Sequence, residues 1–253
     1  RRRHTRYWRD WSSDVCSSDL IYQVTVTAKS AGNQTIATGT DVVVFLKLAL
    51  VWSDEFDGNG APDANKWGYD LGAGGWGNNE LQYYTNRTDN AVVSNGTLKI
   101  IAKKESYSGS PYTSARLLSK GKFSFQYGKI ECRAKLPADA GTWPAFWMLG
   151  NNITGSGWPA CGEIDILEHK GNDLNKVYVA LHYPGRSGGN AVSASFLKSN
   201  VTTEFHTYGC VWTPEIIQFL YDGTVLFSTG NNTTSMPFNQ PFFILLNLAM
   251  GGT

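Results

Sequence analysis

An all-β fold, an antiparallel sandwich or barrel, is what this sequence predicts, and three observations predict it. From Leu50 onward short β-type runs recur, Asp-Gly, Asn-Gly and Gly-Gly pairs separate them, and no amphipathic helix of ordinary length is present. Composition agrees. Charged residues make up 17% of the 253 positions, against 27 glycines and 13% aromatics, a profile of turns and aromatic surfaces that argues against disorder and coiled coil.

The elements follow in chain order. Residues 1–20, RRRHTRYWRDWSSDVCSSDL, have no apolar period and lack the roughly 7–15-residue apolar stretch of a signal peptide. The segment resembles translated sequencing-adapter read-through and is expected to be a non-native leader. It holds five of the 22 basic and three of the 21 acidic residues, which leaves 17 and 18 and a remainder close to neutral. That balance argues against a nucleic-acid partner, which needs clustered Lys and Arg. No run approaches the ~18 apolar residues of a membrane span. Residues 21–46 carry alternating Val and Thr around a turn at Ala31-Gly32-Asn33 and read as a β-hairpin. They resemble the tail of a PKD-like, immunoglobulin-type module.

From Leu50 the runs are GTLKIIAKK, GKFSFQYGKIECRAKL, VYVALHY, FHTYGCVWTP, IIQFLYDGTVLFSTG and FFILLNLAMGG. Asp222-Gly223 between two alternating strands is the clearest hairpin signal. The chain stops at Thr253 straight after a strand, so a C-terminal truncation is expected. Cys132, Cys161 and Cys210 match no zinc spacing and read as buried thiols with room for at most one disulfide.

The chemistry concentrates in one stretch, Trp158 to His169, where Glu163, Asp165 and Glu168 interrupt an apolar strand. Side chains alternate along a strand, so Glu163 and Asp165 share one face while Ile164 and Ile166 face the core. A regular strand would then bury Glu168 among the isoleucines, where an unpaired carboxylate costs several kcal/mol. One extra residue near Leu167, a β-bulge, returns Glu168 to the face of the other two. Two glutamates so placed approach the ~5–5.5 Å separation of a retaining glycosidase. One would stay ionised as nucleophile, the other would hold the proton for the leaving oxygen, and Asp165 between them would share protons with Glu163.

Aromatics supply a second signal. Trp76, Trp143, Trp147, Trp158 and Trp212 lie near Gly and Pro, and indole faces stack on the apolar faces of sugar rings. In GTWPAFWML, alternation puts Trp143, Ala145 and Trp147 on one face and Phe146 and Met148 on the other. Core packing is the plain alternative for any one of these tryptophans.

At this point a family is legible. From about Leu50 to Thr253 the chain resembles glycoside hydrolase family 16, in particular bacterial laminarinases, through WSDEFDG, WGNNELQYYT, YTSARLLSKGKFSFQYGKIECRAKLP, GTWPAFWMLG, GEIDILEH and NLAMGG in that order. The resemblance implies a jelly-roll, concanavalin-like sandwich with a concave sugar-binding cleft. It implies Glu163 as nucleophile, Asp165 as assisting residue and Glu168 as acid/base, and it offers Asn79, Glu80, Arg116, Trp143, Trp147 and His182 as candidates for the sugar cleft. The chemistry would need no cofactor. A structural Ca²⁺ near Glu55 is a further expectation, although the C-terminal ligand segment of relatives is absent. Cys132 and Cys161 are expected in strands flanking the site, and the missing last strand puts the stability of this fragment in question.

The expected function is therefore retaining hydrolysis of β-1,3-glucan or mixed β-1,3/1,4-glucan by a secreted or cell-surface monomer. Alternatives on the same scaffold are a β-glucan-binding module, which would not need both glutamates, and a transglycosylase or agarase-type enzyme. A metal hydrolase built from His169, His182 and His206 lacks His-Glu-x-x-His spacing. Sulfated substrates call for a basic cleft, and Arg116 is the one basic residue the sequence places there.

Overall fold

The computed structural model describes residues 49–232 and 234–252 in full, and the backbone of four strands between residues 19 and 47. The chain forms two units, 1–53 and 54–253. In the first, β1 (Asp19–Val24), β2 (Thr27–Lys29), β3 (Thr35–Thr38) and β4 (Val42–Lys47) pair antiparallel as β1–β4 and β2–β3, two nested ladders of one hairpin. Its turn and residues 1–18 of the expected leader lie outside the described residues, while Asp19 and Leu20, set apart with the leader on composition, open β1.

The second unit runs β5 (Gly68–Asp70), β6 (Gln82–Tyr84), β7 (Ala91–Ser94), β8 (Thr97–Ile100), β9 (Lys103–Tyr107) and β10 (Ser110–Ser114). It continues with β11 (Arg116–Leu118), β12 (Gly128–Ala134), β13 (Thr142–Gly150), β14 (Glu163–His169), β15 (Lys176–His182) and β16 (Val192–Leu197). It closes with β17 (His206–Trp212), β18 (Ile216–Tyr221), β19 (Thr224–Gly230) and β20 (Phe242–Met250). Its α-helix, α1, is a single turn, Ile153–Ser156. Among the described residues no helix is long and apolar enough to cross a membrane.

Two sheets dominate, with order β16-β15-β14-β13-β20-β11-β5 and order β12-β17-β18-β19. The antiparallel sandwich is the fold that the strand pattern predicts. Alternation explains its core: Met148, Ile164, Leu181 and Ile244 point from the seven-stranded sheet toward Tyr208, Cys210, Trp212 and Phe219 of the other, all buried. Asp222 (φ 46°) and Gly223 (φ 75°) form the expected two-residue turn between β18 and β19.

Three readings are corrected. GTLKIIAKK is two strands, because the chain leaves β8 at Ile101, whose N–H turns to the Asn90 carbonyl, before β9 joins a different sheet. In GKFSFQYGKIECRAKL the ladder starts only at Gly128, after a left-handed Tyr127 (φ 64°). Cys132 lies on β12 of the four-stranded sheet and Cys161 in the turn before β14, so they do not flank the site as a pair. Cys132, Cys161 and Cys210 are free thiols, and burial pushes Cys132 up to about 12 and Cys161 to about 11.

Candidate active site

The site is built on β14 and its two neighbours. Against β13, Phe146 pairs with Leu167 and Trp147 with Asp165, so Ile166 is the extra residue of a bulge. Against β15, Asp165 pairs with Ala180 and Glu168 with Tyr178, which requires the same insertion. Ile164, Ile166 and Leu167 are all buried, and Glu163, Asp165 and Glu168 share the opposite face. Register then lines up Tyr178, Glu168, Ala145, Asn247, Arg116 and Asp70 as consecutive cross-strand neighbours from β15 to β5. Ala145 is the small member beside Glu168, so the row leaves space where the carboxyl group stands.

Each glutamate receives an indole N–H: Trp143 Nε1 donates to Glu168 Oε1 at 2.9 Å, and Trp158 Nε1 donates to Glu163 Oε2 at 3.0 Å. His182 brings Nε2 to 3.1 Å from Asp165 Oδ2 and 3.7 Å from Glu163 Oε1. Its Nδ1 accepts the Gly188 N–H at 3.1 Å, which places the hydrogen of the neutral ring on Nε2, facing the carboxylates. His182 is thus a partner of the acidic cluster, a closer role than cleft lining.

Burial pushes all three carboxyls above their ordinary range. For Glu163 the neighbouring Asp165 and Glu168 add to the rise, while His182 and the Trp158 N–H oppose it. Asp165, 4% exposed, is raised by burial and then by Glu168. At Glu168 the Trp143 N–H, His182 and Lys170 work against the effect of burial. All three carboxyls are thus raised by burial, and Glu163 and Asp165 also by neighbouring carboxylate charge, so they share protons and titrate together rather than one by one.

On the β20 side, Arg116 binds Asp70 at 2.9 Å, and its guanidinium lies 4.9 Å from the Trp76 ring centre and 4.7 Å from that of Trp147. Trp147 Nε1 donates to Asn247 Oδ1 (2.7 Å), Asn247 Nδ2 to Tyr84 Oη (3.1 Å), and Tyr84 Oη to Glu80 Oε2 (3.1 Å), which also accepts from Gln82 (2.6 Å). Glu80 thus anchors a wall of the cleft, while Asn79 is exposed at its rim with φ 56°. On the other side a cavity of about 180 Å³ opens beside Glu168, walled by Trp143, Lys170, Tyr178, His182 and Ser193.

Sequence reasoning offered Trp158 as a sugar-stacking indole and not as a partner of Glu163, and it missed Asp70, Tyr84, Asn247, Lys170 and Tyr178. Asn247 had a usable signal, a lone amide inside the apolar strand FFILLNLAM. Among the described residues, Glu163, Asp165 and His182 are the one group of three whose ligand atoms lie close enough, within 4.8 Å, to hold a metal ion. Shared protons account for their closeness equally well. Around Glu55 no such group gathers: Glu55 is exposed, and the Asp54 carboxylate is taken by Lys66 (3.3 Å) and Trp67 Nε1 (2.7 Å). The residues present form no side-chain cradle for Ca²⁺ there, and no step is derived through one.

Residues 78–253 match the family described as Glycosyl hydrolases family 16. The chain belongs to this family. Among family 16 relatives it is similar to a β-glucanase of Rhodothermus marinus, 45% identical over 216 residues that cover 80% of this chain and 76% of that protein. A glucan endo-1,3-β-glucosidase of Cryptopygus antarcticus is 38% identical, with 80% of each chain covered. The laminarinase structure from Rhodothermus marinus superposes with a TM-score of 0.78 at 46% identity, covering 81% of this chain and 86% of that one.

Proposed function

We propose that the protein is a retaining endo-glycosidase that hydrolyses β-1,3-glucan or mixed β-1,3/1,4-glucan outside the cell or at its surface, acting as a monomer. The observation that carries this reading is the bulge at Ile166, which brings a third carboxyl, Glu168, onto the face of Glu163 and Asp165. The activities named for the Rhodothermus and Cryptopygus relatives support the substrate class.

In the first step the Glu163 carboxylate bonds to the anomeric carbon, the bond from that carbon to the leaving oxygen breaks, and Glu168 gives that oxygen its proton. In the second, water attacks the same carbon, Glu168 takes its proton, and Glu163 leaves as carboxylate. Asp165 and His182 Nε2 stabilise the charge that returns to Glu163. The cavity beside Glu168 abuts the proton donor, so the ring it receives is the leaving group. A sugar hydroxyl arriving there instead of water would give transglycosylation.

The test is reducing-sugar release from laminarin, barley mixed-linkage glucan and agarose, with Glu163→Ala as control and the anomeric configuration of the first product read by NMR. Activity on laminarin with the β-anomer formed first, and none in the control, is the expected result. Binding to laminarin without hydrolysis of any polymer would leave a recognition module instead.

A further inference from the structure

Both indole N–H groups donate and never accept, and each draws its carboxyl toward the ionised form, but the carboxyls they hold have different tasks. At Glu168, Trp143 donates to Oε1, and since a carbonyl oxygen accepts better than a hydroxyl oxygen, this bond favours the acid's proton on Oε2. At Glu163, Trp158 donates to Oε2, and a donor on a carboxylate favours the ionised form that a nucleophile needs. Trp143 is fixed from behind: Gly252 lies so close that a Cβ there would come within 2.5 Å of Trp143 Cε3. Trp158 is 51% exposed, yet its N–H meets a carboxylate whose side chain is only 15% exposed.

Exposure alone would mark Trp158 as a contact surface, but its surroundings hold it over Glu163. The turn that carries it is closed by Cys161 N–H to Gly157 O (2.9 Å) and Gly162 N–H to Pro159 O (3.0 Å). Gly162 adopts φ 78°, and a Cβ there would lie 2.9 Å from Phe242 Cζ, so the turn is wedged against the core immediately before Glu163. The ring of Trp158 also lies 5.8 Å from that of His182, the other group facing the nucleophile.

We propose that Trp158 is the positioning residue of the nucleophile and Trp143 that of the acid, each acting through one N–H rather than only as a stacking surface for sugar. The inference rests on the roles proposed above for Glu163 and Glu168. It makes the two tryptophans separable by leaving group. A dinitrophenolate leaves without a proton, so its departure needs the nucleophile and not the acid.

The test replaces each tryptophan singly by 3-benzothienylalanine, which keeps the fused ring and lacks the N–H, with Trp→Phe as a second variant at each position. kcat and KM are measured on laminarin and on a dinitrophenyl β-laminaribioside, using the whole chain. Loss of the Trp158 N–H is expected to lower kcat about 10- to 100-fold on both substrates, the scale of one hydrogen bond to a charged group. Loss of the Trp143 N–H should lower kcat/KM on laminarin about 10- to 100-fold and on the aryl glycoside by at least about fivefold less, because only the leaving oxygen of laminarin needs the acid's proton. A position-158 variant that keeps its kcat on the aryl glycoside overturns the proposal. Glu168→Ala separates this from failure of the underlying roles: with the aryl glycoside it should still release a burst of dinitrophenolate, stall for want of a base for water, and be rescued by azide as a β-glycosyl azide. Absence of both burst and rescue means that the assignment of acid and nucleophile is itself wrong.

Discussion

Asp165 is the residue whose charge the site can least accommodate, since it is 4% exposed and stands between two glutamates. Its pKa is raised in the folded state, so folding favours the protonated form. Stability is therefore lost as pH rises above the ordinary carboxylate range near ~4 and regained on acidification. Asp165→Asn removes the charge while keeping the shape. It is expected to add about 1–2 kcal/mol at pH 7 in urea unfolding, a gain that shrinks toward pH 4, while turnover falls at least about tenfold. A gain that grows on acidification would contradict the assigned direction. Gly252 offers a second residue-scale check, because φ +82° and a Cβ 2.5 Å from the Trp143 ring leave no room for a side chain. Gly252→Ala should move Trp143 and cost about 10- to 100-fold in kcat on laminarin, since misplacement by an ångström is felt at that level.

At the scale of the element, β14 depends on one inserted residue. Deleting Ile166 leaves Glu-Ile-Asp-Leu-Glu in strict alternation with Glu168 still on the face of Glu163 and Asp165, whereas inserting a second residue after Ile166, with the bulge still absorbing only one, turns Glu168 toward the core side of Ile164. That insertion is expected to abolish hydrolysis and to destabilise the fold by about 3 kcal/mol or more, the cost of leaving a charge buried without its partner. An insertion variant that keeps activity would mean that Glu168 reaches the cleft by another route. The bulge was legible because a carboxylate could not be left among isoleucines. Its place at Ile166 rather than Leu167 was not, because a bulge is located by the ladders on both sides, and those strands are distant in sequence. The same limit explains the run GKFSFQYGKIECRAKL: local propensity is β-like throughout, and the left-handed turn at Tyr127 decides where pairing starts.

Across the whole molecule, the sandwich is fastened by an aromatic cluster around Trp212. Its ring meets Phe125 (5.8 Å), Tyr127 (5.1 Å) and Phe242 (5.2 Å) edge-on, and its Nε1 donates to the Phe238 carbonyl at 3.0 Å. Trp212 is 1% exposed, so Trp212→Ala should cost about 3–5 kcal/mol in equilibrium unfolding. A loss below about 1 kcal/mol would place the core elsewhere. Every residue of the site lies in the unit 54–253. Removing residues 1–49 is accordingly expected to leave kcat/KM on laminarin within about twofold, whereas the hairpin of β1–β4 alone is too small to hold its structure.

The sequence by itself determined the all-β class, the Asp222-Gly223 turn, the faces of Trp143 and Trp147, and the carboxylates of β14, since each follows from period-two alternation or from chemistry within a dozen residues. Only the tertiary structure decided that Asn247 and Asp70 continue the row of Glu168 and Arg116, that Glu80 braces a wall through Tyr84, and that His182 faces Asp165. The reason is physical. Alternation fixes which face a side chain takes, but the register between strands that are far apart in the chain fixes its neighbours, and register is set by packing of the whole sandwich.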